Sequence, residues 1–172
     1  YLKVLTIMTT ATTTDDIWAV LEAVTDPEIP VLTVTDLGII RDVKLKEDSG
    51  VEVIITPTYS GCPAMNTIEI NIRAVLQEHG YDNVTVTTVL HPAWTTDWMT
   101  EAGRRKLKAY GIAPPVDGTA DKGALFAEQP KVECPQCGSL NTELVSQFGS
   151  TACKSLYRCL DCREPFDYFK CH

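Results

Sequence analysis

Apolar positions recur at helical spacing in three stretches of the chain and mark strands in others, and their order predicts the fold. A first helix is expected to start near Thr14, whose hydroxyl would cap it, with Asp15 and Asp16 in the first turn. Ile17, Val20, Leu21 and Val24 form its apolar stripe, and Pro27 stops it in a stiff D-P-E-I-P loop. Residues 31–34 read as extended, and 39–45 as a strand after the Leu37-Gly38 turn. The E-D-S-G hairpin at 47–50 leads into a β-branched strand over 51–56. Pro63 sits at the first position of a second helix that runs to about His79 and buries Met65, Ile68, Ile72, Val75 and Leu76. Gly80 ends it, and residues 84–90 alternate with threonines as another strand. This helix–strand–strand–helix–strand order implies an α+β fold, a small sandwich of helices against a mixed sheet. A third helix is expected over 96–110, closed by Gly111 and Pro114-Pro115.

The pattern then changes. Residues 113–131 have the turn-rich composition of a linker, in which Leu125 and Phe126 are candidates to dock on the preceding domain. The chain thus divides into an α/β domain at 14–112, a linker at 113–131 and a small C-terminal lobe at 132–172. That lobe is too short to build a core alone, so a bound metal must contribute on the order of 10 kcal/mol to its folding.

The ligands are legible. Cys134 and Cys137 lie in C-P-Q-C-G, Cys159 and Cys162 in Y-R-C-L-D-C-R, and 21 residues separate the two pairs. Two C-x-x-C turns at this spacing fold as knuckles around one tetrahedral metal, with Pro135 and Gly138 supplying turn chemistry. Closed four-cysteine sites favour zinc, so the lobe reads as a zinc ribbon, although rubredoxin-like iron uses similar knuckles. Cys153, six residues before Cys159, and Cys171 compete weakly for the ligand role, as does His172.

Composition narrows the function. The chain carries a net charge of −8, and residues 1–95 hold all of it, with 5 basic against 13 acidic side chains. Neither part has the basic excess of a nucleic-acid binder, so a protein partner is expected. No apolar run approaches the length of a membrane span, and seven cysteines with four in metal spacing fit a reducing cytoplasm. Met8, followed by T-T-A-T-T-T, reads as the natural start, with residues 1–7 outside the fold.

A second site centres on Cys62. T-P-T-Y-S-G-C-P-A-M runs from a strand end into a helix and places Cys62 at the expected N-cap. Orphan N–H groups and the helix dipole there would lower the thiol pKa and favour metal binding or nucleophilic chemistry. The residues equally allow a buried structural cysteine that only caps. With His79 at the far helix end, no base stands beside Cys62 and a hydrolase dyad is unsupported. Trp94, Trp98 and His91 read as structural residues, and Arg104-Arg105-Lys106 with Lys108 as a solvated basic face.

D-P-E-I-P-V-L-T-V-T-D-L-G-I-I-R-D-V at 26–43 and T-P-T-Y-S-G-C-P at 56–63 resemble the SufT-like domain of iron–sulfur cluster assembly. H-P-A-W-T-T-D-W-M-T-E-A-G-R-R-K-L-K-A-Y-G-I-A-P-P at 91–115 and the cysteine-rich tail at 148–172 narrow this to a resemblance to the D-protein family of the bacterial phenylacetyl-CoA epoxygenase (phenylacetate degradation) system. The resemblance implies an accessory protein, not an enzyme, that helps mature an iron or iron–sulfur centre of the oxygenase or reductase component. It implies motif positions at Asp26, Glu28, Thr56 and Cys62, a structural zinc on Cys134, Cys137, Cys159 and Cys162, and transient iron or cluster as cargo. Asp26 and Glu28 lie in the D-P-E loop, where their role could also be plain turn chemistry. A rubredoxin-like electron carrier and a passive structural component of the complex are the alternatives.

Overall fold

The computed structural model describes residues 13–47, 49–116 and 130–170. The expectations for residues 1–7, Met8, Leu125, Phe126, Cys171 and His172 lie outside the described residues.

Helix α1 (Thr14–Leu21) is capped one residue earlier than expected. Thr13 Oγ1 accepts the Asp16 N–H, and the Asp16 carboxylate accepts the Thr13 N–H, which closes a capping box. The helix also ends well before Pro27. The chain turns after Leu21, and its backbone is then claimed by 31–34: Asp26 N–H donates to Leu32 O at 2.8 Å and Val34 N–H to Val24 O at 2.9 Å. Residues 31–34 are therefore turns with one bridge, Thr25 to Thr33, instead of an extended strand.

Strand β1 (Ile40–Leu45) pairs antiparallel with β2 (Val51–Ile55), and β2 pairs in parallel with β3 (Val84–Thr88). The parallel pair requires a crossover, which α2 (Ala64–Glu78) supplies. Val51, Val53 and Ile55 alternate inward from β2 and meet Ile68, Ile72 and Leu76 of α2 and Ile17 and Leu21 of α1 in one core.

The expected third helix is broken. A 3-10 turn (Thr96–Trp98) precedes α3 (Glu101–Tyr110), with extended Met99 and the N-cap Thr100 between them. Asp36 causes the break. Its carboxylate accepts from Thr33 N–H, Thr100 Oγ1 and the Lys106 ammonium, while its carbonyl accepts the Thr100 N–H. Burial would raise this carboxyl's pKa, but the Lys106 ammonium and the Thr33 and Thr100 donors hold it below the ordinary value. Gly38, at φ +66°, lies so close beneath Trp98 that a Cβ would stand 2.4 Å from the Trp98 carbonyl oxygen.

A second sheet is ordered β4-β7-β6-β5: β4 (Ile112–Ala113), β5 (Thr142–Ser146), β6 (Lys154–Cys159) and β7 (Pro165–Phe169). Ala113 pairs with Tyr168 and is buried with Val132, Tyr157 and Phe166 in the ribbon's own small core. The segment expected to be linker from 113 onward thus begins inside the ribbon sheet, because Ala113 fits an apolar position beside the aromatic β7. The far ends of β6 and β7 leave this small core for the large one, to which Cys153 and Phe169 belong. Phe169 meets the buried Trp94 edge-on at 6.1 Å, and Trp94 Nε1 donates to Leu37 O at 2.8 Å. Lys108 adds an ion pair to Glu133 at 2.8 Å, and Arg104 donates to the carbonyls of Pro115 and Thr96. Arg105, Lys106 and Lys108 are exposed, as a solvated face requires, although Lys106 and Lys108 form ion pairs there, and Arg104 alone is drawn in to hold elements together.

Candidate functional site

The four ribbon cysteines converge. Their Sγ atoms all lie within 4.8 Å of one another, with Cys134–Cys162 at 3.7 Å and Cys137–Cys159 at 3.6 Å. A tetrahedron with metal–sulfur bonds of about 2.3 Å has edges of about 3.8 Å, so the thiols stand at ligand separation. The knuckles are alike in backbone: the residue after each second cysteine, Gly138 and Arg163, is left-handed at φ +76° and +66°. Gly138 adopts this freely, whereas Arg163 does so at a cost on the order of 1 kcal/mol. Asp161 ties the knuckles by accepting from Ser139 Oγ and Asn141 Nδ2. The Cys162 backbone N–H, opposed by burial and helped by Asp161 N–H and neighbouring thiols, brings the Cys159 thiol down to about 7. Against the Glu164 N–H, burial and the neighbouring thiols push Cys162 up to about 12, so the four thiols do not lose their protons together without a metal to displace them.

The Cys62 region is built differently. β2 ends at Ile55, and the loop from Thr56 carries Tyr59 and Cys62 to the start of α2. Pro63, not Cys62, occupies the N-cap position and makes no side-chain cap. Burial pushes the Cys62 thiol up, helped by the charges of Glu28 and Asp26. The Ala64 N–H and the Tyr59 hydroxyl, which both hydrogen-bond the sulfur, pull the other way and are outweighed. The net shift is opposite to the expectation from helix position alone, because half-burial beside two carboxylates exceeds what one helix terminus supplies. Cys62 remains partly exposed and is not sealed in the core.

Asp26 and Glu28 differ in what they do. Asp26 is 8% exposed, and its Oδ1 accepts the backbone N–H groups of both Glu28 and Ile29 at 2.8 Å. This is the local turn chemistry that the D-P-E loop allows. Burial raises its pKa against those two donors. Glu28, half-exposed, turns its carboxylate elsewhere: Oε2 lies 3.5 Å from Cys153 Sγ. Thr56 is 1% exposed, and its Oγ1 is the one buried side-chain oxygen or nitrogen among the described residues that lacks a hydrogen-bond partner.

Sequence reasoning missed Cys153 as a neighbour of this region. It is 5% exposed, donates to Glu28 Oε2 and shares a hydrogen bond of 3.0 Å with Thr151 Oγ1. A ribbon role is excluded by distance: six residues of extended chain carry Cys159 roughly 20 Å away along β6. The only hint in the sequence is that Cys153 belongs to neither C-x-x-C pair.

Comparisons with known proteins agree with this construction. Residues 14–89 match the family described as "Iron-sulfur cluster assembly protein" and residues 118–170 the "PaaD zinc beta ribbon domain". A protein of Escherichia coli (strain K12), named as the D component of 1,2-phenylacetyl-CoA epoxidase, is 51% identical over 156 residues, covering 91% of this chain and 92% of that protein. The chain belongs to the family of phenylacetyl-CoA epoxidase D components. A "Fe-S protein maturation auxiliary factor" of Porphyromonas gingivalis (strain ATCC BAA-308 / W83) is 36% identical over 96 residues, 55% of this chain and 90% of that protein. Among solved structures, the "Domain of Unknown Function DUF59" from Bacillus anthracis superposes with a TM-score of 0.51 at 28% identity, over 54% of this chain and 89% of that one. The chain thus combines an iron–sulfur assembly domain with a zinc ribbon domain and its four-cysteine cluster. No helix among the described residues is long and apolar enough to cross a membrane.

Proposed function

We propose that this protein is a non-enzymatic accessory factor of aerobic phenylacetate catabolism that helps load an iron or iron–sulfur centre into the oxygenase or reductase component of the epoxidase. The observation that carries this reading is the partly exposed Cys62 thiol, hydrogen-bonded by the Tyr59 hydroxyl and acted on by the charges of Glu28 and Asp26, within an iron–sulfur assembly domain.

The chemistry suits a carrier. A thiol held neutral at ordinary pH resists oxidation, and a metal ion must displace its proton to bind. That cost keeps the hold on cargo weak enough for release. A thiolate with a carboxylate offers iron a mixed soft and hard donor set, which a reducing cytoplasm would keep intact. Asp26 shapes the loop by accepting the backbone N–H groups of Glu28 and Ile29, and Glu28 supplies the nearby charge. Cys134, Cys137, Cys159 and Cys162 would hold a structural zinc, which supplies folding energy to the ribbon and no redox chemistry.

The test is the metal content of the client proteins purified from cells that carry Cys62→Ser. Iron-depleted oxygenase or reductase beside a normally folded accessory protein is expected. Full iron occupancy in both clients would sink the proposal.

A further inference from the structure

The two knuckles of the ribbon share a backbone but not the residue at its left-handed position. Gly138 stands there at φ +76° and Arg163 at φ +66°. Glycine takes that conformation freely, whereas a long side chain takes it only against strain, so the Arg163 side chain must contribute something that glycine would not. It contributes nothing to the fold: Arg163 is exposed and makes no hydrogen bond or ion pair among the described residues. What it reaches is a cleft of about 310 Å³ beside the second knuckle, lined by Arg158, Cys159, Leu160 and Arg163. Two guanidiniums line this cleft, and no carboxylate does among the described residues. Asp161 is turned to Ser139 Oγ and Asn141 Nδ2 instead. Arg158 holds Glu143 through Nη2 at 2.6 Å, but both partners are about half exposed, where such a pair contributes little. A guanidinium has five N–H donors, so Arg158 keeps the capacity for a second carboxylate. Apolar surface adjoins the charge. Leu160 is 43% exposed, and its N–H donates to Asn141 O at 2.8 Å, next to Leu140, which is 58% exposed.

We propose that this cleft docks an acidic segment of a partner protein: an aspartate or glutamate carboxylate binds between Arg158 and Arg163, and an apolar neighbour packs on Leu160. Arginine presents paired N–H donors in the fork that a carboxylate matches. Nucleic acid would call for a basic excess, yet residues 96–172 hold 10 basic and 10 acidic side chains and the whole chain carries −8. The four-cysteine centre sets the grip, because Cys159 and Cys162 stand between the two arginines in the chain and fix the knuckle that carries them. The ribbon then has two duties, one at each end of β6. Cys153, just before one end, is buried with the first domain, and Cys159, at the other, lines the docking cleft. That the partner is a component of the epoxidase rests on the function proposed above; the preference of the cleft for an acidic segment does not.

The test measures binding of the full chain, with zinc in the ribbon, to the purified oxygenase and reductase components at low and high salt. One component should bind. Arg158→Glu combined with Arg163→Glu should weaken that binding by about 10-fold or more and flatten its salt dependence. Arg163→Gly relieves the backbone strain and keeps the zinc, so weaker binding in this variant cannot come from loss of fold. A photo-crosslinker in place of Leu160 should capture a partner peptide that carries aspartate or glutamate. Unchanged affinity in both arginine variants, no binding of either component, or capture of a peptide without acidic residues would overturn the inference. So would an arginine-dependent binding confined to a single-stranded oligonucleotide, which would assign the cleft to nucleic acid. Client iron content in Cys62→Ser separates the two ideas. Unchanged affinity in the arginine variants with iron-poor clients in Cys62→Ser would remove the docking cleft and keep the maturation role. Weakened binding in the arginine variants with fully loaded clients in Cys62→Ser would keep the cleft and remove the role.

Discussion

The two thiol regions of this molecule are opposites. The ribbon centre gathers four sulfurs from two tight turns, all within 4.8 Å of one another. The Cys62 region gathers sulfur, carboxylate and hydroxyl from three distant segments, and burial pushes both of its thiols up. The first arrangement saturates a metal and has every reason to keep it. The second makes deprotonation costly, which under the proposed function suits cargo that must leave again. Sequence-local turns thus preorganise the ribbon centre, whereas groups from distant segments assemble the second region.

The largest effect should come from the permanent centre. Cys159→Ser, or a strong chelator, is expected to remove the zinc and unfold the ribbon, a loss on the order of 10 kcal/mol to that lobe. Zinc analysis and near-ultraviolet circular dichroism would show it, with the first domain's helical signal retained. Zinc held normally by Cys159→Ser would erase the contrast between the regions.

A smaller effect should follow from separating the regions. Phe169 is 2% exposed and packs on Trp94, so Phe169→Ala should cost about 3–5 kcal/mol in denaturant unfolding. It should leave the ribbon zinc in place while exposing Cys153 to alkylation. Cys153 staying unreactive in the folded variant would mean that its burial does not depend on this contact.

The smallest effect is a pH dependence. Burial, opposed by the Thr151 hydroxyl and reinforced by Glu28, pushes the Cys153 thiol from 9.0 to about 11. A folded-state acid with a raised pKa binds more protons than the unfolded chain between those values. Its contribution is therefore complete below pH 9.0 and is lost as the pH climbs to about 11. Stability should fall on the order of 2–3 kcal/mol across that window. The fall should vanish in Cys153→Ala, and a flat profile in wild type would contradict the burial of this thiol.

Residue by residue, legibility tracks how local each interaction is. The β2 alternation Val51, Val53, Ile55 and the α2 stripe Ile68, Ile72, Leu76 are readable because strand and helix periods are properties of neighbouring residues. The ribbon knuckles are readable for the same reason. Expectation and structure part where distant groups intervene. Asp36 claims Thr100 and breaks the third helix, Leu32 and Val34 end α1 early, and Tyr168 draws Ala113 into the ribbon sheet. The pKa of Cys62 departs from expectation in the same way, since helix position is local while desolvation and the Glu28 and Asp26 charges come from elsewhere in the fold.

What the chain's sequence settled unaided is the identity of the elements and of the four sulfurs in two turns, because both depend on spacings of two to four residues. What only tertiary structure decided is which solitary groups meet. Glu28 and Cys153 are 125 residues apart, and no spacing rule joins them. They come together because Phe169 packs edge-on against Trp94 and is buried with Cys153 in the large core, which carries the end of the ribbon, thiol included, to the D-P-E loop.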